Sequence, residues 1–327
     1  MTSFAAFQPA WWCGGPNAQT LWGALWRPVP AVPLRRERWD TPDGDFLDVD
    51  VIDAAPGAPA LVVLHGLEGS SRSKPVVGFL AAARRLGWAA FGVNLRGCSG
   101  EPNRLRRAYH GGDSADLAWV IDRVIASDPS RLIGCVGVSL GANITLKYLG
   151  EMGPRAPRQV RAAGAISAPF DLGISARYLE QGPGHLYMAN LVRGLKRKTW
   201  AKLARYPDLV DRTRLRAVRT LGEFDDLVTA PLHGFADSRE YWHASGAIRR
   251  LPLIERPTLL INAHDDPFFP SLALPTRAVR DNPSLTAEFV PAGGHAGFLS
   301  GACPGLPIAW AEHRTLAFLR DHLSPAA

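Results

Sequence analysis

The sequence predicts an α/β fold, with a mostly parallel central sheet flanked by helices. Short apolar runs alternate with helical patterns along most of the 327 residues, and one serine sits between two glycines where an apolar run passes into a helix. The chain is 46% hydrophobic, which is ordinary for a globular protein. We therefore expect residues 1–327 to form a single domain around one large core.

The elements follow from apolar runs, turn residues and helix signals, taken in order. Pro42-Asp43-Gly44 marks a turn between the first two strands, Pro75 suits a first helical turn, and Asp113 is placed to cap a helix. Strands are predicted at 34–40, 46–52, 61–64, 88–93, 131–136, 160–166, 256–261 and 285–290. Helices are predicted at 75–86, 113–126, 142–149, 272–280 and 307–321.

The alternation breaks between residues 170 and 215, where the pattern is helical and basic and contains no strand candidate. Met188, Val192 and Leu195 fall on one helical face. In an α/β fold, such an insertion commonly forms a lid over the active site. We predict a helical lid here, and a packed pair of surface helices without a gating role is the alternative.

Gly137-Val138-Ser139-Leu140-Gly141 matches the G-x-S-x-G nucleophile elbow of the α/β-hydrolase fold. The predicted strand leads into it and the predicted helix leads out, which separates an elbow from a chance match. The serine must adopt a strained backbone conformation so that its hydroxyl points out of the turn. Side chains at 137 and 141 would collide with the neighbouring strand and helix, so both positions are glycine.

A serine nucleophile needs a base, and the base needs an acid that orients it. In this fold the acid and then the histidine follow the serine along the chain, on loops after late strands. Residues 262–267 and 293–297 are two such loops. We predict His295 as general base and Asp266 as the orienting acid, with Asp265 as the alternative acid.

The oxyanion hole needs two backbone N–H groups, one from the residue after the nucleophile and one from the loop after an early strand. Applied to this chain, these two requirements predict an oxyanion hole formed by the N–H groups of Leu140 and Leu67. His65 and His110 are expected to be structural. The glycine-rich loop 94–100 lacks a Walker pattern and is expected to line the rim of the pocket.

The net charge and the spacing of the cysteines limit which binding partners and which cellular location we expect. The formal net charge is +7, and the densest basic run is 193–202, without a nucleic-acid-binding module. We expect a solvated basic face there, with anionic lipid or acidic substrates as the alternative. The four cysteines are widely spaced, which argues against a disulfide framework or a zinc site and predicts a cytoplasmic location. The sequence contains neither a signal-peptide pattern nor an apolar run of about 20 residues.

The N-terminal segment 1–33 is rich in tryptophan. Trp11, Trp12, Trp22 and Trp26 lie within it. We expect this segment to pack on the core, and contact with a lipid surface is the alternative.

Several segments together make the chain resemble the YheT-like family of predicted esterases. The residues that carry the resemblance are 14–21, 64–69, 94–98, 137–143, 224–226 and 263–268. The resemblance covers nearly the whole chain and maps Ser139, Asp266 and His295 onto the family's charge-relay positions. It implies hydrolysis of carboxylic esters with short or medium acyl chains, including monoacylglycerols, and it implies no cofactor and no metal. Asn17 departs from the family pattern, which carries histidine there.

These observations favour a serine carboxylesterase acting on a small-molecule ester. An acyltransferase or thioesterase with the same three residues is the first alternative, and a catalytically silent binding protein is the second. A dinucleotide-dependent oxidoreductase is disfavoured, because G-x-G-x-x-G does not follow the first strand. The oligomeric state is left open.

Overall fold

An eight-stranded sheet forms the centre of the protein in the computed structural model, which describes residues 5–323. The ends of the predicted domain, 1–4 and 324–327, lie outside the described residues. The strand order is β1-β2-β4-β3-β5-β6-β7-β8. The strands are β1 Arg35–Asp40, β2 Phe46–Ile52, β3 Ala60–Leu64, β4 Ala89–Val93, β5 Ile133–Val138, β6 Val160–Ile166, β7 Thr258–Ala263 and β8 Leu285–Val290.

The predicted α/β fold with a mostly parallel sheet is confirmed. Strands β3 to β8 pair in parallel, whereas β1 pairs with β2 and β2 with β4 in antiparallel register. Alternate residues of β3 enter different cores: Leu61 and Val63 belong to one, Val62 and Leu64 to the other. The apolar run is continuous because this strand is covered on both faces.

Helices cover both faces of the sheet. They are α1 Pro16–Leu25, α2 Lys74–Arg85, α3 Ser114–Ser127, α4 Leu140–Met152, α5 Leu172–Leu179, α6 Gly184–Leu203, α7 Arg212–Ala217, α8 Leu221–Phe224, α9 Ala230–Leu232, α10 Ser238–Ser245, α11 Thr276–Asp281 and α12 Trp310–Leu323. A π-helix at Asp225–Thr229 joins α8 to α9. Side chains of α2 and α12 pack in one core, and side chains of α3 and α4 pack in the other.

The region between β6 and β7 is a helical insertion that includes α5 to α10 and continues to the short 3-10 helix Leu251–Leu253. It is longer than the predicted 170–215. The insertion has its own apolar cluster, which includes Met188, Val192 and Leu215. It also contacts the loops that follow the strands, as where the Ser175 hydroxyl donates to the Phe268 carbonyl at 2.8 Å.

The basic run in α6 is not the solvated face that we expected. Lys196 donates to the carbonyls of Arg216 and Val218, and Lys202 is buried and donates to the carbonyls of residues 105, 106 and 107. Lysine stems are long enough to bury their methylenes while the ammonium group reaches backbone acceptors. Three of the five basic residues therefore attach the insertion to its surroundings, since Lys198 also has partners, described below.

Two predicted helices have different bounds in the structure. The helix predicted at 272–280 is divided, because Pro275 separates the 3-10 helix Ser271–Ala273 from α11. The last helix begins at Trp310, not at 307, since Ile308–Ala309 pairs with Leu299–Ser300 in a small antiparallel ribbon. Helix α1 was not predicted, although Pro16 at its first turn is a helix-start signal.

The structure divides the four N-terminal tryptophans into two groups. The rings of Trp12 and Trp22 are 4.9 Å apart and lie against an apolar cluster that includes Leu299. Trp11 and Trp26 are 82% and 62% exposed. The four cysteines are all free. Within residues 5–323, no helix is both long and apolar enough to cross a membrane.

Candidate active site

Ser139 lies at the turn between β5 and α4, with a φ of 55°. A Cβ at Gly137 would lie 2.3 Å from the Gly141 carbonyl oxygen, and one at Gly141 would lie 2.6 Å from the carbonyl oxygens of Leu64 and His65. No side chain fits at those separations. The two glycines therefore let the helix approach the strands closely enough to make the sharp turn.

The three predicted site residues are brought together at the carboxyl ends of the parallel strands. The Ser139 hydroxyl oxygen is 2.8 Å from Nε2 of His295. On the other side of the ring, Nδ1 lies 2.9 Å and 3.1 Å from the two carboxylate oxygens of Asp266. Asp266 is only 2% exposed. A buried carboxylate at Nδ1 favours the tautomer in which Nε2 accepts the serine proton.

The two neighbouring aspartates make different contacts. Asp266 reaches the imidazole and also accepts from the backbone N–H of Phe268 at 2.7 Å. Asp265 instead accepts from the backbone N–H of Gly294 at 2.9 Å, next to the histidine. Burial raises the pKa of the Asp265 carboxyl. The geometry assigns the contact with the ring to Asp266 and the support of the loop to Asp265.

Residues from distant segments hold His295 in place. Its backbone N–H donates to the Thr20 hydroxyl at 2.8 Å, and the N–H of Ala296 donates to the Ser167 hydroxyl at 2.9 Å. The ring of Phe268 stacks on the imidazole, with centroids 4.0 Å apart and planes 10° apart. Sequence reasoning missed Thr20 and Phe268 as site residues, although each lies in a motif that carries the family resemblance.

The loop after β3 approaches the serine closely. A Cβ at Gly66 would lie 2.9 Å from the Ser139 Cβ, so the backbone that leads to the Leu67 N–H is adjacent to the nucleophile candidate. Leu140, the residue after Ser139, begins α4. Buried His65 supports this loop: its Nδ1 donates to the Gly66 carbonyl at 2.7 Å, and its Nε2 accepts from the Leu95 N–H at 3.1 Å.

A cavity of about 570 Å³ opens beside the two oxyanion-hole candidates, Leu67 and Leu140. The insertion supplies most of its apolar wall, and the loop 94–100 contributes Arg96, Gly97, Cys98 and Gly100. His110 also lines it, and its ring lies 4.4 Å from that of His233. In the part of the chain that the structure describes, the cavity walls include the neighbours of Ser139 but not the side chains of the three site residues.

Comparison with known proteins identifies the family. The model of the α/β-hydrolase fold matches residues 59–302. Over 98% of its length the chain is 36% identical to YheT of Escherichia coli (strain K12), a protein that carries the name of an esterase, and it covers 95% of that protein. This chain belongs to the α/β-hydrolase family, in its YheT-like branch. The resemblance stated from the sequence is thereby confirmed.

More distant relatives carry the names of lipid-cleaving enzymes. The chain is 31% identical to the monoacylglycerol lipase of Saccharomyces cerevisiae, over 81% of this chain and 59% of that protein. It is 28% identical to the mouse phospholipase ABHD3, over 91% of this chain and 74% of that protein. The Pyrococcus furiosus esterase Pf2001 shares the fold, with a TM-score of 0.57 at 16% identity, covering 91% of this chain and 99% of that one. These relatives group the chain with the ester hydrolases.

No cluster of three or more histidine, cysteine, aspartate or glutamate side chains within residues 5–323 is arranged to hold a metal ion.

Proposed function

We propose that this α/β-hydrolase is a serine carboxylesterase with Ser139 as nucleophile, His295 as general base and Asp266 as the acid that orients the base. The observation that carries the proposal is the continuous path of contacts from hydroxyl to imidazole to buried carboxylate, with distances of 2.8 Å and 2.9 Å. This is the arrangement that activates a serine in unrelated hydrolase folds.

In the proposed mechanism, Nε2 of His295 takes the proton as the serine oxygen attacks the ester carbonyl. The negative charge that develops on the carbonyl oxygen is met by the N–H groups of Leu67 and Leu140. The protonated imidazole, stabilised by Asp266, gives its proton to the leaving alcohol. Water then attacks the acyl-enzyme carbonyl while His295 takes a proton from it, and the imidazole returns that proton to the departing Ser139 oxygen as the free acid is released.

The acyl chain of the substrate is proposed to lie in the cavity beside Leu67 and Leu140. Its volume of about 570 Å³ and its largely apolar wall suit a short or medium acyl chain, and a monoacylglycerol fits this description. The insertion is then the lid of the site. Exposed Trp11 and Trp26 supply aromatic rings for contact with a lipid surface.

Replacement of the nucleophile tests the proposal. We expect a fluorophosphonate probe to label the wild-type protein at Ser139 and to leave the Ser139→Ala variant unlabelled. The variant should lose at least about 10⁴-fold in kcat on chromogenic esters, because the other two residues act only through the serine. Mass spectrometry of the labelled peptide and a chain-length series of esters and monoacylglycerols are the measurements.

The matched control is Ser130→Ala, which removes a hydroxyl at an exposed loop position. It should keep both labelling and turnover. Full ester turnover by Ser139→Ala, or a probe attached elsewhere, would contradict the proposal. Adding alcohols or acyl-CoA to the same assay identifies an acyltransferase or thioesterase by its products, and a wild-type protein that neither labels nor turns over is the silent binding protein.

A further inference from the structure

The Leu67 N–H lies in a turn whose backbone is unfavourable for its sequence. Residues 66 to 69 form a tight turn, closed by the Gly69 N–H donating to the Gly66 carbonyl at 3.0 Å. Glu68, the third residue of this turn, has a φ of 59°. Glycine or asparagine normally takes this position, because other side chains are strained there. Something other than local preference must therefore hold the turn.

The side chain of Glu68 is the anchor of the turn. Its carboxylate oxygen Oε1 accepts from the Tyr109 hydroxyl at 2.8 Å and lies 2.9 Å from Nζ of Lys198. The Tyr109 hydroxyl also accepts from the backbone N–H of Glu68 at 3.0 Å. The glutamate side chain is 10% exposed. Both the backbone and the carboxylate of this residue are thus fixed by other segments.

Helix α6 of the insertion is shaped around this carboxylate. Lys198 projects from it to Oε1, and Gly194, one turn earlier, lies against the other oxygen: a Cβ there would be 2.5 Å from Oε2. Lys198 also donates to the Cys98 sulfur at 2.9 Å. Burial raises the pKa of the Cys98 thiol to about 11, so the thiol is neutral and Glu68 is the charged partner of the lysine.

The same helix also touches the other half of the site. Tyr187, eleven residues before Lys198, lies 4.9 Å from the ring of Phe268, which stacks on His295. The tyrosine hydroxyl donates to Asn17 at 2.8 Å, the position where the chain departs from its family pattern. Eleven residues are close to three helical turns, so both contacts leave α6 on nearly the same face.

We infer that Glu68 and Lys198 are positioning residues of the oxyanion hole: their ion pair ties the turn to α6, so that the Leu67 N–H is aimed at the reacting carbonyl only when the insertion lies over the site. The inference rests on the proposed esterase function. When α6 moves away, Glu68 loses its lysine and keeps only its contacts with Tyr109, so the turn is held less firmly and one oxyanion donor is no longer fixed in place. An open lid therefore leaves the nucleophile intact but the catalytic site incomplete.

The first test compares Lys198→Met with Arg193→Met, an exposed position on the same helix. On a short chromogenic ester, which makes little use of the cavity, we expect Lys198→Met to lose roughly 10- to 100-fold in kcat with KM within about twofold. Arg193→Met should match the wild type. Unchanged kcat in Lys198→Met, or a rise in KM alone, overturns the inference.

Two more variants separate positioning from general damage. Glu68→Gln combined with Lys198→Met removes both charges, and we expect the pair to lose less kcat than the product of the two single losses, since neither charge is then left unpaired. Gly194→Ala keeps every charge but displaces the carboxylate, and it should also lower kcat. Strict additivity in the double variant, with full activity in Gly194→Ala, overturns the inference.

Amide hydrogen exchange of the peptide that covers residues 66–70 tests whether Lys198 holds the turn, and it does not depend on catalytic activity. Faster exchange in Lys198→Met than in Arg193→Met supports the tie between α6 and the turn, and equal exchange overturns it. If the wild type neither labels with the probe nor hydrolyses esters, the proposed function fails while the exchange result still decides whether α6 anchors the turn.

Discussion

Two turns at the same edge of the sheet each place a non-glycine residue at a positive φ but are supported differently. Ser139 has a φ of 55° and Glu68 a φ of 59°. The serine turn is held by backbone packing, with Gly137 and Gly141 in direct contact with strand and helix atoms. The glutamate turn is held by side chains from two other segments, through Tyr109 and Lys198.

The two kinds of support differ in what they require of the rest of the protein. Backbone packing within the central sheet persists as long as the domain is folded. A side-chain tie to the insertion persists only while that insertion is in place. The turn at Ser139 is thus a property of the fold, whereas the turn at Glu68, in the inference proposed above, depends on the position of the helical insertion.

The largest expected effect on stability comes from adding a methyl group at the serine turn, where backbone atoms of strand and helix are in contact. In Gly137→Ala the new methyl group would lie 2.3 Å from the Gly141 carbonyl oxygen and 2.5 Å from the Ala142 Cα, so strand and helix must separate. We expect a loss of about 3 kcal/mol in unfolding free energy, measured by urea denaturation. Gly14→Ala, where the new Cβ meets nothing within 4 Å, is the control. Equal stability of the two variants would contradict the comparison.

A change in unfolding free energy of comparable size is expected from acid, through the histidine that supports the turn at Glu68. Burial lowers the pKa of His65, which supports Gly66, to about 4 from an ordinary 6.5. Between these values the unfolded chain binds a proton that the folded protein excludes. The contribution of His65 to the unfolding free energy is therefore fully present above about pH 6.5 and falls by about 3 kcal/mol as the pH drops to 4.

His65→Asn is the matched variant for this pH effect, since its amide can still donate to the Gly66 carbonyl but cannot take a proton in this range. Urea unfolding measured between pH 4 and 7 should show a shallower acid decline in the variant than in the wild type. Parallel declines would show that the histidine does not couple the turn to pH.

The smallest expected effect on stability comes from replacing the strained residue itself. Glu68→Gly suits a φ of 59° and removes the anchor, so strain relief and lost contacts offset each other, and unfolding free energy should stay within about 1 kcal/mol of the wild type. Turnover of a short ester should nevertheless fall. A loss of more than about 3 kcal/mol would mean that this turn, like the serine turn, is part of the structural core.

The sheet and the order of the three site residues could be predicted because short local patterns in the sequence specify both. Buried parallel strands are short apolar runs, and the serine turn is specified by five consecutive residues. Asp266 and His295 were found because loops after late strands meet at one edge of the sheet. The roles of these residues remain predictions for the experiments above.

The contacts between distant segments were not predictable in this way. Nothing in the basic pattern of α6 distinguishes Lys198, which pairs with Glu68, from exposed Arg193. Helix α1 lacks a strong apolar face, so its part in holding His295 through Thr20 has no periodic signal. Such partners are chosen by tertiary packing, which single-sequence patterns do not encode.

The bond between Thr20 and His295 joins positions 275 residues apart, one near each end of the described chain. Gln19 adds two more such links, accepting from the Leu299 N–H and donating to its carbonyl. On a ribosome, the first partner of each link is made long before the second. A growing polypeptide can therefore form its serine turn early but cannot clamp the imidazole until the segment around His295 has also been synthesised.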